Sequence, residues 1–298
     1  MYLNEAITEA PYRALWQEGT DRIFDILKDK REAELDARLL LEYVCGTRID
    51  TLLLEPERKV SADQTSRYSE LIDRRCGREP LAYIVGSTDF MGLPFIVSPD
   101  VLIPEQDTEN LVEEILKEGR DGERILDLCT GSGCILLSLL HYSNSSVGIG
   151  TDLSQKALDT ACRNADSLGL SDRAQWRQGD LFDALEKDEK FDLIVSNPPY
   201  IASGVIPSLA AEVKCHEPRL SLDGGEDGLD FYRRIIPGAV PHLVIGGMLY
   251  MEIGFDQGEA VAGLMRKAGY YEVAVLKDYG GNDRIVRGIR SIHQDALA

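Results

Sequence analysis

The chain has 298 residues, 44% of them hydrophobic, with 51 acidic against 32 basic side chains and a formal charge of −19. That length predicts two domains, and a surface so acidic repels phosphate backbones, which argues against free nucleic acid as a substrate. No apolar run approaches the roughly 18 residues that a membrane span needs, and the start, Met1 to Arg13, lacks the basic-then-apolar pattern of a secretory signal.

In chain order, residues 1–75 read as helices. Leu15, Ile23, Phe24, Ile26 and Leu27 recur with helical spacing, and the run Glu34 to Val44 stops at Gly46. A third helix spans Ser61 to Arg75, with Ser61 as its cap. No strand pattern interrupts them, so residues 1–78 are expected to form a small helical domain. In residues 79–107 the β-formers of Asp89 to Val97 surround Gly92, predicting a hairpin that serves as a linker. From residue 108 onward strands and helices alternate. Strands are predicted at 124–128, 146–150, 174–178, 191–196, 246–252, 271–277 and 283–288, with helices at 154–168 and 257–268 among those between them. Such alternation implies an α/β fold with a mostly parallel sheet covered on both faces. Ligands of such sheets bind beyond the carboxyl ends of the strands.

Three motifs fall at those ends. Strand 124–128 runs into Cys129-Thr130-Gly131-Ser132-Gly133, whose glycines permit a tight turn and close approach of backbone to ligand. An ordinary strand–helix turn has the same look. The loop is not GxGxxG, since Leu136 stands where the third glycine would, and this weakens a dinucleotide reading. Asp152 closes the next strand, where a carboxylate can accept both ribose hydroxyls or simply cap a helix, a task Ser154 could equally perform. After the third strand come Asp180 and Leu181, an acid for an adenine amine beside an apolar cover; a plain turn is the alternative. Taken in order, the three describe an adenosine pocket without a phosphate cradle, which suits S-adenosylmethionine.

The fourth strand is followed by Asn197-Pro198-Pro199-Tyr200. The prolines fix φ and offer no N–H. The Asn197 side-chain oxygen and the Pro198 carbonyl can therefore accept two N–H bonds from one planar amino group, and Tyr200 can stack on it. A delocalised amide nitrogen is a poor nucleophile, and holding both hydrogens aims its lone pair at a methyl donor. Such chemistry needs no metal. The six cysteines form no CxxC pair and share no pattern with the four histidines, so no zinc site is expected and reduced thiols in a cytoplasmic setting are.

At these residues the sequence resembles the HemK-type glutamine methyltransferases that act on peptide chain release factors. The resemblance runs through Asp36 to Gly46, Glu79 to Gly86, Phe90 to Val97, Val101 to Pro104, Asp127 to Gly133 and Asn197 to Ile201. It continues through Glu217 to Tyr232, Glu252 to Gly258 and Lys277 to Arg287. It implies a seven-stranded Rossmann-like S-adenosylmethionine-dependent methyltransferase domain, residues 108–298, behind a helical substrate-recognition domain. The implied substrate is the glutamine of the Gly-Gly-Gln loop, and the implied product S-adenosylhomocysteine. Cys129, Thr130, Gly131, Ser132, Gly133 and Asp152 would hold the donor, with Asp180 and Leu181 near adenine. Asn197 to Tyr200 would hold the glutamine amide, with Asn197 also facing the donor. A monomer acting on a protein, with no membrane or free nucleic acid as partner, is expected. A glutamine methyltransferase of a ribosomal protein is the nearest alternative; one acting on nucleic-acid amino groups is more distant. Two departures stand out. Glu105-Gln106-Asp107 replaces the usual Arg-Pro-Glu, and no role is carried over to it. Cys129 stands where glycine is usual, so an ordinary backbone conformation is expected there.

Overall fold

The computed structural model describes residues 9–118 and 121–291. These form two compact units: the first runs to Gly86 and takes in Ala211–His216, and the second holds Ser87–Ala210 and the chain from Glu217 on.

In the first unit strand β1 (Ala10–Pro11) leads into helix α1 (Tyr12–Leu27), followed by α2 (Lys30–Cys45), α3 (Ile49–Leu54), β2 (Lys59–Val60), α4 (Ala62–Cys76) and α5 (Leu81–Val85). Local chemistry sets the helix ends. The Asp29 carboxylate accepts from the Glu32 N–H at 3.0 Å to open α2, and Gly46 closes it at φ 59. Ser61 caps α4 by accepting from the Gln64 N–H at 3.3 Å. Leu15, Ile23, Leu40, Leu41, Leu71 and Ile72 meet in one core. The expectation of a strand-free segment fails at one point: β1 and β2 pair antiparallel, Ala10 opposite Val60. Two residues are too few to show the alternation by which a strand is recognised in sequence. Arg75, its side chain only 3% exposed, pairs with Asp36 at 2.6 Å, Glu32 at 2.9 Å and Glu212 at 3.4 Å. Three carboxylates offset the desolvation of that guanidinium and tie the Ala211–His216 segment to α2 and α4.

The second unit opens with a hairpin, β3 (Ser87–Phe90) and β4 (Leu93–Ile96). Its two-residue turn, Met91 at φ 53 and Gly92 at φ 71, has the left-handed pair that matches strand twist. Then come α6 (Gln106–Lys117), β5 (Arg124–Leu128), α7 (Cys134–Tyr142), β6 (Val147–Asp152), α8 (Gln155–Leu168), β7 (Ala174–Gln178) and β8 (Phe191–Ser196). After the short α9 (Ala211–His216), which belongs to the first unit, follow α10 (Asp230–Ala239), β9 (Leu243–Glu252), α11 (Gly258–Lys267), β10 (Tyr271–Lys277) and β11 (Asp283–Ile289).

One seven-stranded sheet results, ordered β10-β11-β9-β8-β5-β6-β7. Strands β5 to β9 are parallel to one another, and β11 alone runs antiparallel, between β9 and β10. Both faces are covered. Ile125, Leu193, Val195 and Met248 pack with Leu111, Leu136 and Leu140 of α6 and α7. Their neighbours in the strands, Leu126, Ile194, Leu249 and Met251, pack with Ile235, Ile236, Val261 and Met265 of α10 and α11. Burial on both faces is why these strands read as nearly continuous apolar runs. The expected strands 124–128, 174–178, 191–196 and 271–277 match β5, β7, β8 and β10. Strand β9 begins earlier than 246, because the glycine pair taken as its start is an irregularity within it, with Gly246 at φ 77 beside a register shift against β8. The chain winds from β5 outward through β6 and β7, then returns to place β8 and β9 on the other side. The winding therefore reverses between β5 and β8, where open sheets of this kind take their ligands.

Candidate active site

Two loops leave the sheet at that reversal point. The first, after β5, turns on alternate left-handed residues: Cys129 at φ 59, Gly131 at φ 55 and Gly133 at φ 79. Cys129 is thus not in the ordinary conformation expected of it. The Thr130 N–H donates to the Thr151 carbonyl at 3.0 Å and the Gly131 N–H to Asp152 Oδ2 at 3.0 Å. These bonds pull the loop across onto β6 and leave Cys129 no extended alternative. Burial drives the Cys129 thiol far above the usual range, with Asp152 and Asp127 adding to the effect, so it is a neutral wall. Beneath it Asp127 is fully buried, accepts from the Thr130 hydroxyl at 2.5 Å, and is pushed up to about 7 by desolvation. At Gly133 an added Cβ would sit 2.8 Å from the Trp176 ring and 3.1 Å from Ala161, so α7 packs close only because this residue is glycine.

Asp152 is not the cap of α8; Ser154 is, accepting from the Ala157 N–H at 3.3 Å. Asp152 instead accepts from the N–H groups of Gly131 at 3.0 Å and Ser154 at 2.8 Å, and burial raises its pKa. Each oxygen keeps further lone pairs, and the residue lines the cleft. Asp180 also lines the cleft and pairs with Arg234 at 2.8 Å, a partner that the sequence reading missed. Leu181 is buried at φ 54, which turns its side chain onto the cleft wall.

The second loop, after β8, is Asn197 to Tyr200. Asn197 and Pro199 line the same cleft as Cys129, Gly131, Asp152, Asp180 and Leu181; Pro198 is buried. The Asn197 Nδ2 donates to Thr108 Oγ1 at 3.1 Å, and the Tyr200 hydroxyl donates to Glu252 Oε1 at 3.3 Å. The segment from Leu222 to Gly228 braces this corner. The Ile201 N–H donates to the Leu222 carbonyl at 2.9 Å, Gly224 N–H to Ile201 at 2.8 Å and Ser203 N–H to Gly225 at 2.8 Å. Gln257 Nε2 donates to the Tyr200 carbonyl at 2.9 Å and to Gly228 at 3.3 Å. Pro218, Leu220, Ser221 and Phe231 also line the cleft. In the altered segment that opens α6, Asp107 pairs with Arg284 at 2.8 Å, which gives that acid a structural place.

The cleft holds about 200 Å³. Its lining includes three carboxylates, from Asp100, Asp152 and Asp180, and, among the described residues, a single basic side chain, Arg234, which is already paired with Asp180. A pyrophosphate would find no free cation there among the described residues, whereas ribose hydroxyls, an adenine amine and a sulfonium would meet acceptors. The Thr151 hydroxyl, in a residue of the lining, makes no protein hydrogen bond among the described residues. Fold and cleft together define an S-adenosylmethionine-dependent methyltransferase. Residues 103–217 match the methyltransferase small domain and residues 20–86 the PrmC N-terminal domain. The release factor glutamine methyltransferase of Caulobacter vibrioides is 41% identical over 93% of this chain and 95% of its own; that of Moorella thermoacetica is 43% identical over 95% and 97%. The chain belongs to the release factor glutamine methyltransferase family. A methyltransferase from Pyrococcus furiosus shares the fold, with a TM-score of 0.53 at 20% identity, covering 75% of this chain and all of that one.

Proposed function

We propose that this chain methylates the side-chain amide nitrogen of the glutamine in the Gly-Gly-Gln loop of peptide chain release factors, and that Asn197 to Tyr200 hold that amide. The observation that carries the reading is that Asn197 and Pro199 border the same cleft as Gly131, Asp152 and Asp180. One cleft thus offers acceptors for a nucleoside and, at its edge, acceptors for an amide. S-adenosylmethionine supplies an electrophilic methyl group when bound, and Cys129 to Gly133, Asp152, Asp180 and Leu181 would hold it.

Asn197 Oδ1 and the Pro198 carbonyl accept the two amide hydrogens, which fixes the plane of the NH2 group. Their dipoles also stabilise the positive charge that grows on nitrogen as the new N–C bond forms and the S–C bond breaks. The proton leaves after methyl transfer, so no strong base is required. The Tyr200 ring, held by its hydroxyl on Glu252, covers the flat group. Residues 1–78 act as the recognition domain and 108–298 as the catalytic domain, in keeping with the family match at residues 20–86, while of the expected linker 79–107 the part to Gly86 belongs to the first unit and the hairpin to the second.

The test offers release factors and ribosomal protein separately with the methyl donor and reads the products by mass spectrometry. One added methyl group on the Gly-Gly-Gln glutamine is expected. Asn197→Ala should raise the barrier by about 2.7–4 kcal/mol, as for loss of one transition-state acceptor. Methylation of the ribosomal protein alone, or near-normal turnover by Asn197→Ala, would contradict the reading.

A further inference from the structure

Arg234 is the one basic side chain on the cleft wall among the described residues, and its Nη2 stands 2.8 Å from Asp180 Oδ2. The way α10 packs on the helical turn Leu181–Ala184, just after Asp180, sets up this ion pair. Phe231, Arg234 and Gly238 are spaced three and four residues apart and so share one face of α10. An added Cβ at Gly238 would lie 2.5 Å from the Phe182 ring, so the helix backbone rests directly on that ring. Phe182 also stacks on His242, with centroids 5.3 Å apart and planes 3° from parallel. Because Phe182 is two residues beyond Asp180, this seat brings Arg234 to the carboxylate. The neighbouring Arg233 is engaged elsewhere, pairing with Asp230 at 3.1 Å and donating to Asp227 at 2.9 Å.

Both side chains are half-exposed, and ion pairs in that setting contribute little to folding. A purine lying in the cleft changes their setting. It takes water from Asp180, and a carboxylate stripped of water is costly unless a counter-charge stands against it. The guanidinium is planar and always charged, so it supplies that charge from a fixed direction. With Oδ2 turned to Arg234, Oδ1 keeps its lone pairs for a donor. The exocyclic amino group of adenine is such a donor. The carbonyl that hypoxanthine carries in its place would stand acceptor against acceptor. We propose that Arg234 is a positioning residue for the base of the methyl donor, holding the Asp180 carboxylate so that it accepts from an amino purine and rejects an oxo purine. The inference rests on the adenine-facing role given above to Asp180. A site built to pair a polar group excludes the analogue that leaves it unpaired far better than an apolar wall does. Leu181, buried on the same wall, offers only apolar surface to either base.

The experiment measures, by calorimetry on the full chain, the affinities for S-adenosylhomocysteine and for S-inosylhomocysteine, whose base carries the carbonyl. It compares the parent with Arg234→Met, Asp180→Ala and the double variant. Arg234→Met keeps a long side chain and removes the charge. It should weaken S-adenosylhomocysteine about tenfold while changing S-inosylhomocysteine affinity less than about threefold. On the Asp180→Ala background the same substitution should change either affinity less than about twofold, because no carboxylate is left to position. The Tm of Arg234→Met should stay within about 2 °C of the parent, as for an exposed pair. If methionine does not fold, Arg234→Gln takes its place in the comparison. Unchanged S-adenosylhomocysteine affinity in Arg234→Met would overturn the positioning role. An equal or larger loss for S-inosylhomocysteine, the mark of a merely structural part, would overturn it too, as would an effect of the same size with and without Asp180. Full affinity of Asp180→Ala for S-adenosylhomocysteine would instead strike the adenine-facing role on which the inference rests.

Discussion

Cys129 carries a side chain through a left-handed backbone conformation that costs a non-glycine residue on the order of 1 kcal/mol. The bonds from Thr130 and Gly131 to β6 impose it, and the strain lies against the cleft that the loop lines. Cys129→Gly relieves the strain but gives up thiol burial and frees the unfolded chain, terms of about 1 kcal/mol that oppose one another. Its unfolding free energy in urea should therefore stay within about 1 kcal/mol of the parent. Cys129→Val places a β-branched residue in the same conformation and should lose about 2 kcal/mol or more. A valine variant as stable as the parent would show that the backbone at 129 is not left-handed in solution. At this scale the types of the site residues were readable from sequence and their pairings were not. Asp152 could be read as a helix cap or a ligand acceptor, and the structure gives the cap to Ser154. Arg234 on Asp180 and Thr108 on Asn197 join residues 54 and 89 positions apart, separations over which no local pattern operates.

Among the elements, the segment Leu222 to Gly228 has no helix or strand of its own beyond one bridge between Ile201 and Asp223, yet it braces the Asn197 to Ile201 corner. Its glycines are there for close approach. An added Cβ at Gly224 would lie 2.8 Å from the Pro199 carbonyl oxygen. At Gly228, held at φ 75, it would lie 2.3 Å from the Tyr200 carbonyl oxygen and 2.7 Å from Gln257 Nε2. Gly228→Ala should therefore cost at least about 2 kcal/mol, from backbone strain together with overpacking. It should also lower turnover, because it breaks the Gln257 bridge to Tyr200. Gly204→Ala is the matched comparison in the neighbouring loop, since a Cβ there meets open space. It should stay within about 0.5 kcal/mol of the parent, as surface changes do. Equal effects of the two alanines on stability and rate would remove the bracing role. Periodicity reads elements that bury a face, and this loop buries none. Its importance was legible only through the resemblance.

For the whole molecule, the formal charge of −19 is the property that reaches furthest from the surface. A release factor works against ribosomal RNA, and a protein that does so carries basic surface. Attraction between the two would speed encounter, an effect that salt screens over a Debye length of ~8–10 Å. Raising salt from about 0.05 to 0.3 M should therefore slow methylation of the whole factor several-fold at subsaturating substrate. A short neutral Gly-Gly-Gln peptide lacks that surface and should respond hardly at all. Equal salt responses in a side-by-side rate assay would assign the charge to solubility alone. No helix among the described residues is long and apolar enough to cross a membrane.

By itself the sequence determined the α/β class, the strands buried on both faces and the order of motifs after them, because periodicity and turn chemistry are local and survive translation into a string. It also carried the motifs proposed here to hold donor and amide, since each chemistry demands particular atoms at a strand end. The tertiary structure decided the rest. It inserted β11 between β9 and β10, put Asn197 and Asp152 on one cleft, and forced Cys129 into a conformation its side chain resists. It also set Asn197 against Thr108 and Tyr200 against Glu252. Each of these depends on which distant segments the sheet brings side by side, and that is settled by burial and hydrogen-bond satisfaction over the whole domain rather than by any residue's neighbours in sequence.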